Sequence, residues 1–367
     1  MSVNREQNIG VGVIGCGYWG PNLVRNFARQ EHSRVVGLCD ARYERAAKVA
    51  SEFHVGYVTD RPEDLVVQHD VDLVVVATRS YNHYDIAKLA LLAGKHVLVM
   101  KPLATRVDHA EELVDLANRQ GVVLAVDHTF VYAGAVQKMH DLVQTGALGD
   151  IYYLDSVRIN LGLFHADVNV IWDLAPHDIS IIDYVLGGVL PTEVSAIGAT
   201  HAGSQVENIA YVTMRYGPSI LAHVHVNWLA PAKVRRTIIG GSKRMVIYDD
   251  VEPSEKIRIY DKGVTITPAS GTDEVYGQLV SYRSGDMHAP RLDTREALAV
   301  EAEEVLSCIR SGSALRADGA AGLRTVRILD AAQRSVQEGS RVIALGTSIS
   351  LIGVLPPAPA ADPAPSP

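Results

Sequence analysis

The sequence has few cysteines and no long uninterrupted hydrophobic segment. Its 367 residues include three cysteines, Cys16, Cys39 and Cys308, which show no paired spacing and therefore indicate thiols in a reducing compartment. No apolar run approaches the roughly 18 residues that a membrane-spanning helix requires. Residues 1–7 also lack the apolar core of a signal peptide. We therefore expect a cytoplasmic protein without a membrane partner.

An excess of positive charge is also missing. The chain has 34 lysines and arginines against 42 aspartates and glutamates, which gives a net charge of −8 and argues against a nucleic-acid partner. Net charge says little about an anionic small ligand, because such a ligand responds to the local field of its site. The length exceeds what one ordinary core accommodates, so we expect two domains.

The stretch around which the rest is organised lies near the start of the chain. An apolar run at 11–14 leads directly into a Gly-x-Gly-x-x-Gly turn at 15–20, and a helical pattern follows at 21–30. A second apolar run ends at Asp40, twenty residues beyond the last glycine. A strand, a glycine turn, a helix and a distant acid at this spacing predict a dinucleotide-binding unit rather than a glycine-rich turn without a nucleotide.

Each position of the turn has a physical role in that prediction. Gly15 permits the tight turn, Gly17 leaves room for a pyrophosphate, and Gly20 lets the helix pack close to the strand. The free N–H groups of the helix N-terminus face the phosphates. We also expect the intervening Tyr18 and Trp19 to contact the cofactor.

Two side chains bear on which nicotinamide cofactor is bound. Asp40 can accept hydrogen bonds from both hydroxyls of the adenosine ribose, and its charge would repel a 2′-phosphate. Arg42 could instead accept that phosphate. The sequence therefore favours NAD, with NADP as the alternative.

Short apolar runs alternate with helical patterns over residues 1–127. This alternation predicts a parallel sheet with helices on both faces, a Rossmann dinucleotide-binding domain, whose ligand sits outside the C-terminal strand ends. Thr78 and Lys101 follow two such strands, and we expect Thr78, the nearby His83 and Lys101 to contact the cofactor. The predicted strands are 11–14, 35–38, 73–77, 96–100 and 122–126, and the predicted helices are 21–30, 44–53, 83–93 and 108–120.

The pattern changes over residues 128–350. Most of its period-2 runs have no helix between them, which predicts an α/β domain with an open, mainly antiparallel sheet that binds substrate and forms oligomers. Residues 351–367 are rich in proline and alanine and are predicted to be disordered. The predicted strands are 151–160, 193–200, 209–215, 220–228, 234–239, 245–248 and 256–260, and the predicted helices are 131–145, 173–186, 294–310 and 319–337.

Lys101 stands between Met100 and Pro102, directly after an apolar strand. Its ammonium group could hold a substrate hydroxyl and stabilise developing alkoxide charge, although a solvated loop lysine is the alternative. Pro102 fixes the turn, and a cis peptide bond is possible there.

A second candidate is the segment Asp173-Leu-Ala-Pro176-His177. With Asp173 as the N-cap of a helix, Pro176 falls in the first turn, and Asp173 and His177 share a face. His177 can then accept a hydroxyl proton while Asp173 orients its ring. A capping aspartate beside a structural histidine is the alternative.

Other histidines carry less weight. His165, in the loop 161–169, is a candidate substrate contact. His223 and His225 share one face of a strand, but no carboxylate or cysteine is spaced to complete a metal site, so we expect no metal.

The glycine turn, the segment around Met100-Lys101-Pro102 and the Asp173-x-x-x-His177 pair together resemble the Gfo/Idh/MocA oxidoreductases, over about residues 9–345. The resemblance is closest to a sugar-nucleotide branch that includes UDP-N-acetylglucosamine and UDP-N-acetylglucosaminuronate 3-dehydrogenases. The stretches that support this branch are 17–22, 160–162, 167–169, 172–178 and 248–262.

The resemblance implies hydride transfer between NAD(P) and a ring carbon of a sugar nucleotide, with C3 as the expected position, by a homodimer or homotetramer. It makes Lys101 the catalytic lysine of the family and Asp173 and His177 its acid–base pair. It also implies that Asn160 and Asn169 contact the substrate, together with Lys101, Asp173 and His177.

The sequence departs from the family pattern at three positions. Met100 replaces the usual glutamate before the lysine, Arg79 replaces a common proline, and Glu304 replaces a common histidine. Reduction of a nucleotide-linked keto sugar with NAD(P)H is an alternative, because these residues do not reveal the redox direction. The loss of the carboxylate at Met100 also allows a non-catalytic NAD-binding sensor or assembly subunit.

Overall fold

The structure, a computed structural model, describes residues 8–162, 168–268 and 278–346. Its first part alternates strands and helices along the chain. These elements are β1 (Ile9–Ile14), α1 (Gly20–Ala28), β2 (Ser33–Cys39), α2 (Tyr43–Phe53), β3 (Tyr57–Thr59), α3 (Pro62–Val66), β4 (Leu73–Val76), α4 (His83–Leu92), β5 (His96–Met100), α5 (Val107–Gln120) and β6 (Leu124–Asp127).

The first six strands form one parallel sheet in the order β3-β2-β1-β4-β5-β6. The strand order reverses between β1 and β4, and a ligand crevice opens at such a point outside the C-terminal strand ends. The predicted Rossmann domain is confirmed. The elements β3 and α3 were not predicted, because three and five residues are too short to establish a periodicity.

The second part is built on a larger sheet. Its elements are α6 (Gly134–Gln144), β7 (Ile151–Leu161), α7 (Val170–Val185), β8 (Glu193–Ala199), β9 (Ile209–Tyr216), β10 (Ile220–Asn227), β11 (Leu229–Gly241), β12 (Met245–Asp249), β13 (Ile257–Tyr260), β14 (Gly263–Pro268), β15 (Gln278–Arg283), β16 (Met287–His288), α8 (Ala297–Ser311), α9 (Gly319–Gln337) and β17 (Ile343–Ala344).

The sheet of this second part has the order β16-β13-β12-β11-β7-β10-β9-β8-β17. The pair β7 and β10 is parallel, and the other neighbours are antiparallel, so the predicted mainly antiparallel sheet is confirmed. Side chains of α6, α7 and α9 share one apolar core with its inner face. The other face carries exposed apolar side chains, among them Tyr153, Ile197, Tyr211 and Leu221.

The last two helices connect the domains. Leu298 and Val305 of α8 belong to the apolar core between the first sheet and α1. Helix α9 contributes Ile328 to the core of the second domain and Val326 to the core of the first. Both helices lie within the range 128–350, so the chain returns to the first domain after β16 and then adds β17 to the edge of the second sheet. None of the described helices combines the length and the apolar character that crossing a bilayer needs.

Candidate active site

The glycine turn has the geometry that its three positions predicted. Gly15 has φ +102°, and a Cβ there would lie 2.5 Å from the Ala77 carbonyl oxygen. A Cβ at Gly20 would lie 2.1 Å from the carbonyl oxygen of Gly15. Neither position therefore tolerates a side chain, and α1 starts directly against the strand that precedes it.

The space beside the turn fits a dinucleotide. A Cβ at Gly17 would meet nothing within 4 Å, and Tyr18 and Trp19 are 85% and 45% exposed. Helix α1 begins at Gly20, so its free N–H groups point towards this open space. The residues here thus provide both the room and the N–H donors that a pyrophosphate needs.

Asp40 follows β2 and lies beside the same turn. Its Oδ2 accepts a hydrogen bond from the Cys16 N–H at 2.8 Å, and its Oδ1 accepts one from the Arg42 N–H at 2.9 Å. These bonds hold the carboxylate next to the glycine turn while lone pairs stay free for ribose hydroxyls. The Arg42 residue is exposed at the same edge.

His83, an expected cofactor contact, is buried beneath the two loops that carry Thr78 and Lys101. It is 1% exposed, and its Nδ1 and Nε2 lie 2.8 and 3.1 Å from the carbonyl oxygens of Pro102 and Thr78. Burial lowers the pKa of His83. The structure therefore corrects the expected cofactor contact: His83 positions the loops that carry Thr78 and Lys101.

Lys101 extends from the end of β5 towards the second domain, after which the Lys101–Pro102 peptide bond is cis. Its Nζ donates a hydrogen bond to the Asp173 carbonyl oxygen at 2.7 Å and lies 3.5 Å from the Asp173 Oδ1. Burial lowers the pKa of Lys101, and the neighbouring carboxylate of Asp173 opposes that shift. This pair joins the two domains at the crevice.

Asp173 is bound differently from the way the sequence suggested. Its Oδ2 accepts a hydrogen bond from Trp228 Nε1 at 3.0 Å, and its Oδ1 faces Lys101. Asp173 therefore positions Lys101 and, in this structure, does not orient the ring of His177. Trp228 is fully buried and distant in sequence, so no local pattern could have marked it.

Helix α7 begins earlier than predicted. Asn169 is its N-cap, because its Oδ1 accepts a hydrogen bond from the Trp172 N–H at 3.1 Å. Asp173 lies in the first turn and Pro176 lies inside the helix, where it provides no N–H for the Trp172 carbonyl group. The assignment of Asp173 as the N-cap was wrong.

His177 lies one turn beyond Asp173, as predicted. Its ring contacts Phe130 edge to face at a centroid distance of 5.1 Å and an interplanar angle of 73°. Among the described residues, nothing donates to or accepts from its buried Nδ1. Burial lowers the pKa of His177 well below its usual value, and the charges of Lys101 and Arg158 add to this. The imidazole is thus neutral and able to accept a proton at neutral pH.

The expected substrate contacts differ in their surroundings. Asn160 is half-buried near the end of β7. The Nδ2 of Asn169 donates hydrogen bonds to Glu207 at 2.8 Å and Gln333 at 2.6 Å, so a substrate contact would have to break existing bonds. His165 lies outside the described residues.

A buried pair of carboxyl groups, which was not predicted from the sequence, includes an acid whose charge acts on Lys101. Asp127, at the end of β6, pairs in register with Met100, and it faces Glu301 of α8. Both acids are at most 2% exposed, and no N–H or O–H group of the described residues donates to Glu301. Burial and the neighbouring charge of Asp127 raise the pKa of Glu301 well above its usual value, which favours a protonated Glu301 in the folded protein.

This acid pair makes stability depend on pH. Burial raises the pKa of Glu301, and Asp127 raises it further, so the folded protein holds a proton that the unfolded chain releases above about pH 4.5. Stability therefore falls as pH rises from there to the folded pKa, by up to about 1.4 kcal/mol per pH unit. We expect the thermal midpoint of Glu301→Gln to fall less between pH 6 and pH 8 than that of the unmodified protein.

Glu303→Gln is the matched control for this prediction, because Glu303 is exposed on the same helix and pairs with Arg295 at 2.9 Å. It should keep the pH dependence of the unmodified protein. An unchanged pH dependence in Glu301→Gln would show that Glu301 does not hold this proton in the folded protein.

The glycine turn and the junction of Lys101 with α7 define an oxidoreductase with an NAD-binding Rossmann domain. Residues 9–128 match the family model described as oxidoreductase family, NAD-binding Rossmann fold, and residues 136–247 match the GFO/IDH/MocA C-terminal domain. The chain belongs to the Gfo/Idh/MocA family of oxidoreductases.

Proteins of known activity are similar to this chain over most of its length. UDP-N-acetylglucosamine 3-dehydrogenase from Acidithiobacillus ferrooxidans is 28% identical over 321 residues, which cover 86% of this chain and 93% of that protein. A solved structure of that enzyme, GnnA, aligns with a TM-score of 0.75 at 26% identity over 90% of this chain and 98% of its own. The WlbA dehydrogenase from Bordetella pertussis shares the fold. It aligns with a TM-score of 0.77 at 20% identity over 93% of this chain and 99% of its own.

Proposed function

We propose that the protein transfers hydride between NAD and a ring hydroxyl carbon, C3, of a sugar nucleotide. The observation that carries this proposal is the Lys101 ammonium group, which Asp173 holds at the junction of the domains one helical turn before the neutral His177. The relationship to UDP-N-acetylglucosamine 3-dehydrogenase, at 28% identity over most of both chains, supports the substrate class.

The chemistry follows from the properties of these side chains. A bound nicotinamide cofactor supplies the hydride acceptor. His177 accepts the hydroxyl proton, which avoids the cost of a free alkoxide. Lys101 holds the same oxygen and stabilises its developing negative charge, while Asp173 and Trp228 fix the lysine in place.

The reverse reaction remains a second candidate, because the same residues can return a proton to the oxygen of a nucleotide-linked keto sugar. A non-catalytic NAD-binding sensor or assembly subunit is the candidate from a different class. The bonded Lys101–Asp173 pair and the neutral His177 favour an enzyme over such a subunit.

A spectrophotometric screen tests the proposal. We expect NAD to be reduced in the presence of a UDP- or dTDP-sugar, and the released product to be a 3-keto sugar by mass spectrometry and NMR. NADH oxidation with keto sugars alone would favour the reductase. Absence of turnover in both directions, with NAD still bound, would favour the sensor.

The preference for NAD over NADP is also part of this proposal. Because the Asp40 carboxylate is held beside the glycine turn, we expect tighter binding of NAD than of NADP by calorimetry. Asp40→Ser should narrow the difference between the affinities for NAD and NADP, because it removes the charge that repels a 2′-phosphate. Tighter binding of NADP to the unmodified protein would reverse the preference and make Arg42 the phosphate contact.

We further propose a homodimer or homotetramer that forms through the open face of the second sheet. Tyr153, Ile197, Tyr211 and Leu221 are 40%, 58%, 39% and 42% exposed there, and contiguous apolar patches mark interaction surfaces. Light scattering should therefore give at least twice the 39.7 kDa of one chain. A monomer mass at micromolar concentration would contradict this.

The location that we propose is the cytoplasm. Cys16, Cys39 and Cys308 are all free thiols in the structure, and Cys16 and Cys39 are buried. Free cysteines are typical of proteins that work in a reducing compartment.

A further inference from the structure

Two arginines flank the aromatic ring that contacts His177. The guanidinium carbon of Arg158 lies 4.3 Å from the Phe130 ring centroid, and that of Arg235 lies 5.8 Å from it. Phe130 follows β6 at the start of the second domain and packs against the core of that domain, and the arginines belong to β7 and β11 of its sheet. The ring that contacts His177 is therefore flanked by two cationic groups of the second sheet.

Arg158 is buried, and its charge is paired inside the protein. Its side chain is 4% exposed, and its Nε and Nη2 donate hydrogen bonds to Asp178 at 2.5 and 3.4 Å. The same carboxylate accepts a hydrogen bond from the Ser156 hydroxyl at 2.7 Å. With its charge balanced by one buried partner, Arg158 serves as a fixed support for Phe130.

Arg235 has a hydrogen-bond donor that no described residue uses. Its Nη1 lies 3.2 Å from Asp250 Oδ2, but its buried Nε has no partner among the described residues. Asp250 also lies 3.5 Å from Lys256 Nζ and accepts a hydrogen bond from the Tyr248 hydroxyl at 3.0 Å. One carboxylate is thus shared by two cations, which leaves an excess positive charge beside Phe130.

We propose that Arg235 binds an anionic substituent of the substrate on the His177 side of the site. Arginine presents several donors in one plane and suits a carboxylate or a phosphate group. The Arg235 side chain is 30% exposed, so a ligand can reach it. On a sugar nucleotide, the group is either a carboxylate on the ring or the diphosphate, and this inference rests on the proposed function.

The test is a comparison of KM and kcat for UDP-N-acetylglucosamine and UDP-N-acetylglucosaminuronate. Removing a charged hydrogen bond in Arg235→Gln should raise the KM about 10- to 100-fold with a smaller change in kcat. A rise for the uronate alone identifies the ring carboxylate as the ligand, and an equal rise for both identifies the diphosphate. Arg235→Lys, which keeps the charge, should recover part of the loss and confirm that the fold is intact.

Arg236→Gln is the matched control. Arg236 is the next residue of β11, so it lies on the opposite face of the sheet, and it pairs with Asp249 at 2.9 Å. An unchanged KM for both substrates in Arg235→Gln, or an equal rise of the KM in Arg236→Gln, would overturn the inference about Arg235 and leave the proposed function standing. If the unmodified protein with NAD neither binds nor converts any sugar nucleotide, the proposed function fails as well.

Discussion

Replacing His177 by alanine should lower kcat about 10²–10⁴-fold, the usual contribution of a general acid–base group. NAD binding should survive, because the glycine turn and Asp40 belong to the other domain. The measurement is turnover of His177→Ala on the best substrate of the screen, together with calorimetry for NAD. His69→Ala, at an exposed position before β4, provides a histidine control that should keep normal turnover.

The pH profile gives a second measurement of the same role. Burial lowers the pKa of His177 well below its ordinary value, so the ring stays neutral on the acid side of pH 6.5. The acid limb of kcat in the unmodified protein should therefore lie below the usual histidine range and should disappear in His177→Ala. Near-normal kcat of that variant across neutral pH would mean that the proton leaves through Lys101, another side chain or water.

Lys101→Ala is expected to be comparably damaging, because it removes the ammonium group that stabilises charge on the reacting oxygen. It also removes the hydrogen bond to the Asp173 carbonyl oxygen and leaves the Asp173 carboxylate without its cation. The double variant with His177→Ala should lose far less than the product of the two single losses, since both residues act on one proton transfer.

A full multiplicative loss in the double variant would show that the two residues act in separate steps. Lys88→Ala is a suitable control, because Lys88 lies on α4 and pairs with Glu112 at 2.7 Å. Its kcat should match that of the unmodified protein.

Those parts of the fold and site that depend on local pattern were predictable from the sequence. The glycine turn, the strand before Lys101 and the helical spacing of Asp173 and His177 are each contained within about ten residues. Helix α9 was predicted at its observed bounds, 319–337, because its apolar residues recur at helical spacing over many turns.

Features that depend on contacts between distant segments were not predictable. Nothing near Asp173 in the sequence indicates that Trp228 donates to it or that its carboxylate faces Lys101. Glu301, whose pKa is raised by Asp127, lies on a helix that returns from the second domain. The N-cap of α7 was misplaced because Asn169 and Asp173 are both good capping residues, and packing decides between them.

Because α8 packs against the first domain, cutting the chain between the two domains would separate residues that share one apolar core. Leu298, Ala302 and Leu306 cover apolar side chains of β1 and α1, so a fragment ending at residue 127 would expose that surface to water. Residues 1–127 therefore do not form an independent unit that can be transferred to another protein. A chimaera that exchanges the substrate domain of this protein must keep residues 297–311 from the same parent as residues 1–127.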